Sequence, residues 1–225
     1  MTRLFMLVEG SSEKTFVEHT LTPHLAQHGV YAERPIVLWT KRLPEGGGSR
    51  GGVSNWSQIK RNLHNLMRDS DAWISTMLDF YGLPEDFPGR EGALKTGNPH
   101  EKVEELEKRF AAEFNNHRRF IPFFALHEFE AWLFSAPDIA EAHFDSPGLA
   151  NKLRNAVKKA GEPELINHGI ATHPKALLKK MVEGYVESSD GPTLLENIGL
   201  QKVRAECPHF NNWLKRLETL GEKSH

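Results

Sequence analysis

Acidic side chains follow apolar runs at several places in this sequence. Glu9 follows Leu4–Val8, and Asp79 follows Ala72–Leu78. Short apolar runs that stop at turn residues are typical of buried strands. In open α/β sheets, ligands bind outside the carboxyl ends of the strands. Glu9 and Asp79 are therefore candidate site residues, although each acid is also compatible with a solvated turn.

A third apolar run, Phe120–Leu126, leads directly into His127, Glu128 and Glu130. A zinc-protease His-Glu-x-x-His motif is excluded because residue 131 is alanine. His127 is a candidate metal ligand or general acid/base, or a histidine that holds the turn together. On a helix, residues two apart face different ways, so we expect only one of Glu128 and Glu130 in the innermost shell.

Carboxylates from these strand ends would form an oxygen-ligand site, which suits Mg²⁺ or Mn²⁺ better than zinc. The ends of parallel neighbouring strands lie roughly 5 to 10 Å apart, close enough to share an ion. Such an ion stabilises charge on a transferring phosphate and lowers the pKa of attacking water. A glutamate that does not bind the metal would serve as general base or acid. The acids therefore predict metal-dependent phosphodiester hydrolysis.

The elements that must position these acids are predicted from hydrophobic periodicity. Apolar runs predict four strands, and the segments between them repeat apolar residues at helical spacing. This pattern predicts an α/β fold with a mainly parallel sheet flanked by helices, and beyond Pro137 the chain is mainly helical. We predict a core domain at 1–136 and a helical region at 137–225. The predicted strands are Leu4–Val8, Pro35–Thr40, Ala72–Leu78 and Phe120–Leu126.

The helix after the first strand contains several features of its own. Ser12 is its predicted N-cap, and Glu13 is favoured in the first turn by the helix dipole. Pro23 is expected to kink the helix or to start a new turn with Thr22 as cap. His24 and His28 lie four residues apart and could bind a metal on one face. The sequence shows no third ligand nearby, which favours ordinary surface histidines.

Basic residues occur in two places, although the formal net charge of −2 gives no global nucleic-acid signal. A glycine-rich loop contains the first group, and the helical region contains the second. The loop is not a P-loop, because no Gly-Lys-Ser/Thr triplet opens a helix after it. The alternative to a nucleic-acid contact is a mobile surface loop for the first group and solvated helix faces for the second. The candidate contacts to DNA or RNA are Lys41, Arg42, Arg50, Lys175, Lys179 and Lys180.

The composition is that of a globular protein, with 39% hydrophobic and 26% charged residues. The single Cys207 rules out an intramolecular disulfide and favours a reducing compartment. No apolar run approaches the roughly 20 residues needed to span a membrane. We expect a cytoplasmic protein, and its sequence is compatible with a homo-oligomer.

Three stretches of this sequence resemble a Toprim-related family of bacterial proteins. They are Val8–Glu13, the strand that ends in Asp79, and His127–Phe134, within which Glu128–Leu133 is the most specific part. Ile198–Leu200 and Cys207–Leu214 are also similar. The resemblance implies a Toprim-like core, as in topoisomerases, primases and the overcoming-lysogenization nucleases. These nucleases are often encoded beside an ABC-type ATPase in phage-defence settings.

The resemblance also implies roles for individual residues. It assigns Glu9 as general acid/base and Asp79 as metal ligand, and Glu13 and His127 are further candidate catalytic residues. Many Toprim domains have an Asp-x-Asp pair, whereas Phe80 and Tyr81 follow Asp79 here. The second metal-binding acid must then come from Glu128 or Glu130. The alternatives are a non-catalytic binding or regulatory module that works with an ATPase, and an enzyme acting on small phosphate esters.

Overall fold

The computed structural model describes residues 1–38, 55–95, 97–166 and 173–222. The chain divides into two compact units, Met1–Phe124 with Leu217–His225, and Ala125–Arg216. The boundary between them falls within a strand and within the last helix. The domain division at residue 136 that the sequence suggests stays a prediction.

A parallel sheet forms the centre of the first unit. Its strands are β1 (Thr2–Val8), β2 (Val30–Ala32), β3 (Ile36–Val37), β4 (Ala72–Asp79), β5 (Phe120–Ile121) and β6 (Phe124–Ala125). The strand order is β2-β1-β4-β5, while β3 also pairs with β1 and β6 with β4. Each pairing with a defined register is parallel. The predicted α/β fold with a mainly parallel sheet is therefore confirmed.

The two central strands, β1 and β4, are the most apolar because a parallel sheet is covered on both faces. Leu4, Met6, Leu7 and Val8 of β1 have no exposed surface. The β1–β4 register runs from Arg3 opposite Ala72 to Val8 opposite Met77. Both strands therefore deliver the residue that follows to the same edge of the sheet.

The predicted fourth strand, Phe120–Leu126, is divided into β5 and β6 at Pro122. Proline lacks the N–H that a strand interior would use. Thr76 of β4 bridges the interruption, since its hydroxyl accepts a hydrogen bond from Phe123 N–H and donates one to Phe123 O, both 2.9 Å. A threonine side chain thus replaces part of the missing backbone pairing.

The helices of the first unit follow the predicted pattern, but their caps differ. Gly10 is the N-cap of α1, and Glu13 Oε2 accepts its N–H at 2.9 Å. The predicted Ser12 cap is therefore wrong, because Ser12 is buried inside the helix. Leu21, rather than Thr22, is the N-cap of α2. The helices are α1 (Ser11–Phe16), a π-helix Val17–Leu21, α2 (Thr22–Gln27), α3 (Trp56–Leu66), α4 (Arg90–Leu94) and α5 (Pro99–Ala112).

The second unit is helical, as predicted for the carboxyl-terminal region. It begins with a 3₁₀-helix, Phe129–Ser135, in which every residue is buried. Trp132 has no exposed surface, and its ring centroid lies 4.7 Å from that of Phe210. Runs of 3₁₀-helix are usually shorter than this, and a helix buried on all sides belongs to a core. The later helices are α6 (Pro137–Phe144), α7 (Leu149–Ala160), a 3₁₀-turn Pro163–Leu165, α8 (Pro174–Met181), α9 (Glu187–Ile198), α10 (Leu200–Glu206) and α11 (Pro208–Glu218).

Cys207, which precedes α11, is buried against Ser135, with 3.3 Å between Sγ and Oγ. Burial raises the pKa of this thiol well above its ordinary value. This environment is that of a structural cysteine. Across the described residues, no helix combines the length and the apolar character that a membrane crossing requires.

Candidate functional site

Glu9 and Asp79 lie side by side at the carboxyl ends of β1 and β4. Glu9 Oε2 accepts the backbone N–H of Asp79 at 2.9 Å, and Glu9 N–H donates to Met77 O at 3.1 Å. A Cβ built on Gly82 would lie 3.1 Å from Glu9 Oε1 and 3.3 Å from Asp79 Cβ. Both acids therefore surround the same small space beside Gly82. This proximity is what the sequence predicted for the ends of two parallel strands.

Asp79 is the more buried of these two acids, with 8% of its surface exposed, and Glu9 is half-buried. Carboxylate oxygens at a sheet edge are donors that suit Mg²⁺ or Mn²⁺. Tyr81 lies two residues after Asp79, and its partial burial raises the pKa of this phenol. Glu9 and Asp79 thus supply the oxygen donors on this unit's sheet edge.

Glu13 is buried in the first turn of α1 and bonds back to the N–H of Gly10. This is one half of a capping box, in which a carboxylate satisfies a backbone donor that the helix leaves unpaired. The bond holds the turn that follows Glu9. The structure therefore gives Glu13 a positioning role, and its predicted catalytic role is untested.

In the second unit, Glu128 caps the amino terminus of α8. Its Oε2 accepts the backbone N–H of Lys175 at 3.0 Å and lies 2.9 Å from Nδ1 of His173. A carboxylate at a helix amino terminus is favoured both by the unpaired N–H groups and by the helix dipole. One oxygen of Glu128 is thus committed to holding α8 in place.

Glu130 is buried beside the side chain of Lys175. It is 2% exposed, and its Oε1 lies 3.9 Å from Nζ of Lys175. Burial raises the pKa of Glu130 to about 8, although the positive charge of Lys175 opposes the shift. Burial therefore favours the protonated form of this carboxyl.

Glu128 and Glu130 both contact Lys175, and the expectation that only one of them belongs to the innermost shell stays a prediction. Glu128 binds the backbone of Lys175, and Glu130 lies beside its Nζ. Glu128 precedes the 3₁₀-helix and has an extended backbone, with φ −151° and ψ 158°, so helical spacing does not apply to this pair. Their separation along the chain therefore says nothing about their relative direction.

His127 is 1% exposed, so its imidazole lies in the interior of the second unit. Of the two interpretations that the sequence left open, this burial favours a histidine that supports the turn. Its predicted role as general acid/base or ligand is untested.

The lysines predicted to contact nucleic acid differ in their surroundings. Lys175 Nζ lies 2.9 Å from Glu187 Oε1, and Lys179 Nζ lies 3.8 Å from Glu187 Oε2. Lys179 and Lys180 are exposed on α8. Their role as nucleic-acid contacts stays a prediction. Lys41, Arg42 and Arg50 lie outside the described residues.

Tyr185 and Glu187 complete the surroundings of Glu130, and sequence reasoning missed both. Burial raises the pKa of Tyr185, and the negative charge of Glu130 adds to the shift. These residues are more than 50 positions from Glu130 and follow no recognisable motif. The sequence indicated only that they lie, like Lys175, in the basic helical region.

The profile of one protein family, described as a domain of unknown function (DUF4276), matches residues 8–218. The protein belongs to the DUF4276 family. The DUF4276 match includes both acid groups, that of the sheet edge and that beside Lys175. No curated protein matches the sequence.

Solved structures similar to this DUF4276 chain include three of the C-terminal region of the OLD protein of Xanthomonas campestris pv. campestris, phased with mercury, iodine and platinum. The identity is 16% for the mercury-phased structure and 15% for the other two. Each comparison covers 100% of this chain and 98% of the chain in the solved structure, with a TM-score of 0.39. Similarity at this level transfers no function to the DUF4276 chain.

Proposed function

We propose that this protein is a divalent-metal-dependent nuclease that hydrolyses phosphodiester bonds of DNA or RNA. The observation that carries the proposal is the pair of acids at the ends of β1 and β4, with Glu9 Oε2 bonded to the backbone N–H of Asp79 at 2.9 Å. The motifs that resemble Toprim proteins contain these same two residues. The donor set and its place at the carboxyl edge of a parallel sheet support a Mg²⁺ or Mn²⁺ site.

In this proposal, Asp79 would hold the ion, and Glu9 would serve either as a further ligand or, when it does not bind the ion, as general acid/base. When bound, the ion would neutralise charge on the phosphate and lower the pKa of attacking water. The N–H of Asp79 fixes one oxygen of Glu9, so the carboxylate is oriented before any ligand arrives. Gly82 leaves room beside both acids, because a Cβ there would lie 3.1 Å from Glu9 Oε1.

Within the second unit, Glu130 and Lys175 are proposed as a separate group of site residues. Lys175 supplies a positive charge that favours a phosphate, and Glu130 is a second prospective metal-binding acid. Glu128 contributes by fixing the backbone of Lys175. The exposed Lys179 and Lys180 are proposed to contact the nucleic-acid backbone. The resemblance to Toprim proteins further supports the proposal that the protein works with an ABC-type ATPase in phage defence.

The test is a cleavage assay on single-stranded and double-stranded DNA and RNA with Mg²⁺ or Mn²⁺. Glu9→Gln and Asp79→Asn should each lower the rate by about 10²-fold or more, as expected when a proton-transfer or charge-stabilising group is lost. Glu104→Gln, which removes an exposed carboxylate of α5, is the matched control and should retain the rate. Equal rates in the wild type and both site variants would refute the assignment.

Calorimetry with Mg²⁺ or Mn²⁺ separates this proposal from the binding-module alternative. A nuclease site predicts an ion that binds the wild type and is lost in Asp79→Asn. A stable complex with an ATPase, together with no affinity for either ion, would instead favour the non-catalytic module.

A further inference from the structure

Two histidines and a glutamate meet in the first unit at a place that the proposed function does not use. His24 lies in α2, His28 is the C-cap of that helix, and Glu218 is the last residue of α11. His24 Nε2 lies 2.7 Å from Glu218 Oε1, and His28 Nε2 lies 3.8 Å from the same oxygen. One ligand atom from each residue lies within 4.8 Å of the other two. The third ligand that the sequence did not show is therefore present.

The backbone around this cluster holds its two segments together without any ion. Thr2 donates its hydroxyl hydrogen to Leu220 O at 3.1 Å, and its N–H donates to Gly29 O at 3.3 Å. Gly221 packs directly against His28, because a Cβ on Gly221 would overlap the carbonyl oxygen of His28. Gly29 ends the helix turn with φ +72°. The end of α11 is thus fixed against the end of α2, which limits how far Glu218 can move from the histidines.

The spacing of the ligand atoms is close to that around a small metal ion. On a tetrahedral ion with bonds of 2.0 to 2.1 Å, ligand atoms lie about 3.3 Å apart. The observed separations of 2.7 and 3.8 Å fall on either side of that value. Side-chain movements of about half an ångström would bring both separations to about 3.3 Å. The imidazole rings are already paired, with centroids 5.0 Å apart and planes inclined by 50°.

The burial of the three side chains also suits a metal centre. Glu218 and His24 are 12% and 18% exposed, so water is largely excluded from their pair. His28 is 41% exposed, which leaves one side of the cluster accessible to an arriving ion. Two imidazole nitrogens with one carboxylate favour a first-row transition metal over Mg²⁺ or Ca²⁺. Three protein ligands leave one position for water on a tetrahedral ion.

We propose that His24, His28 and Glu218 bind one Zn²⁺ ion that joins the end of α11 to α2. This proposal is independent of the nuclease assignment, because it uses other residues and another class of metal. The ion would stabilise the folded first unit, since a ligand that binds only the folded state raises its stability. His24 and His28 alone offer two ligands on one short helix, so the carboxylate from α11 completes the site.

The experiment is zinc titration calorimetry on the full chain after EDTA treatment and dialysis. The protein carries Glu9→Gln and Asp79→Asn, so that the acids of the proposed nuclease site cannot bind the ion. We expect one Zn²⁺ per chain, no competition from millimolar Mg²⁺, and a higher melting temperature with zinc. Co²⁺ in place of Zn²⁺ should give visible absorption bands with the intensity of a four- or five-coordinate centre.

His28→Ala is the main variant, because His28 is the most exposed of the three and its loss should leave the fold intact. It should weaken zinc binding by more than about 100-fold, because loss of an outer-shell partner alone costs 10- to 100-fold. Glu218→Gln tests the carboxylate. His19→Ala, an exposed histidine in the preceding π-helix, is the matched control and should bind like its parent. Unchanged zinc affinity in His28→Ala and Glu218→Gln, or no zinc binding in the parent, would overturn the proposal.

Discussion

Replacing Glu130 with glutamine should change how the stability of the protein depends on pH. Glu130 is 2% exposed, and burial raises its pKa from 4.5 to about 8. Glutamine has a similar shape but cannot ionise. The difference in unfolding free energy between Glu130→Gln and the wild type therefore isolates the cost of ionising this buried carboxyl.

The direction and size of the effect follow from proton linkage. Between pH 4.5 and about 8 the folded protein keeps a proton on Glu130 that the unfolded chain has lost. Wild-type stability therefore contains a contribution that falls as pH rises through this range, by up to about 1.4 kcal/mol per pH unit. Integrated over the range, the loss is on the order of 5 kcal/mol. Glu130→Gln lacks this loss, so its relative stability should rise with pH and level off above about pH 8.

The assay is urea unfolding of metal-free protein at a series of pH values from 5 to 9, with EDTA present throughout. Glu183→Gln, which removes an exposed carboxyl of the same unit, sets the baseline. Carboxyl ¹³C chemical shifts of Glu130 would give its pKa directly. A difference between Glu130→Gln and the wild type that stays constant, or that falls with pH, would refute the reasoning.

Three further substitutions test the packing of the second unit by urea unfolding. Tyr185→Phe should stabilise the protein by about 1 kcal/mol, because among the described residues the buried hydroxyl has no hydrogen-bond partner; destabilisation would indicate that the hydroxyl is satisfied. Glu164→Ala should cost about 2 to 4 kcal/mol, since its carboxylate accepts the N–H groups of His209 and Phe210 at 2.8 and 3.0 Å at the start of α11; a cost near zero would contradict that capping role. Gly191→Ala should carry a steric cost of about 1 to 2 kcal/mol, because its Cβ would lie 3.0 Å from Tyr185 Oη, against a gain of about 1 kcal/mol for alanine over glycine inside a helix. Part of that cost should disappear in the Tyr185→Phe background, and equal costs in both backgrounds would show that the hydroxyl is not the obstacle.

The strands and the sheet edge were predictable because they depend on local sequence. The apolar runs before Glu9 and Asp79 are long enough for strands and too short for ordinary helices. Parallel pairing of β1 with β4 then places both acids at one edge without further information. The interruption at Pro122 was also predictable, since proline cannot donate the hydrogen bond that a strand interior needs.

The surroundings of Glu128 and Glu130 were not predictable, because they depend on contacts across long stretches of chain. Glu128 meets His173 over 45 positions, and His24 meets Glu218 over 194. No periodicity connects residues so far apart. The cap of α1 was missed for a local reason, since Glu13 reaches back to the N–H of Gly10 and leaves Ser12 no capping role.

The sequence leaves Glu128 as the alternative to Glu130 for the second metal-binding acid, and the structure uses one oxygen of Glu128 to cap α8. Its Oε2 now accepts the N–H of Lys175, so an ion that drew this oxygen away would leave the first turn of α8 without its acceptor. Occupancy of the ion site and order at the start of α8 would then be opposed, and amide exchange at Lys175 would report both. Glu128 would thereby couple the binding of a cation to the position of the lysines of that helix.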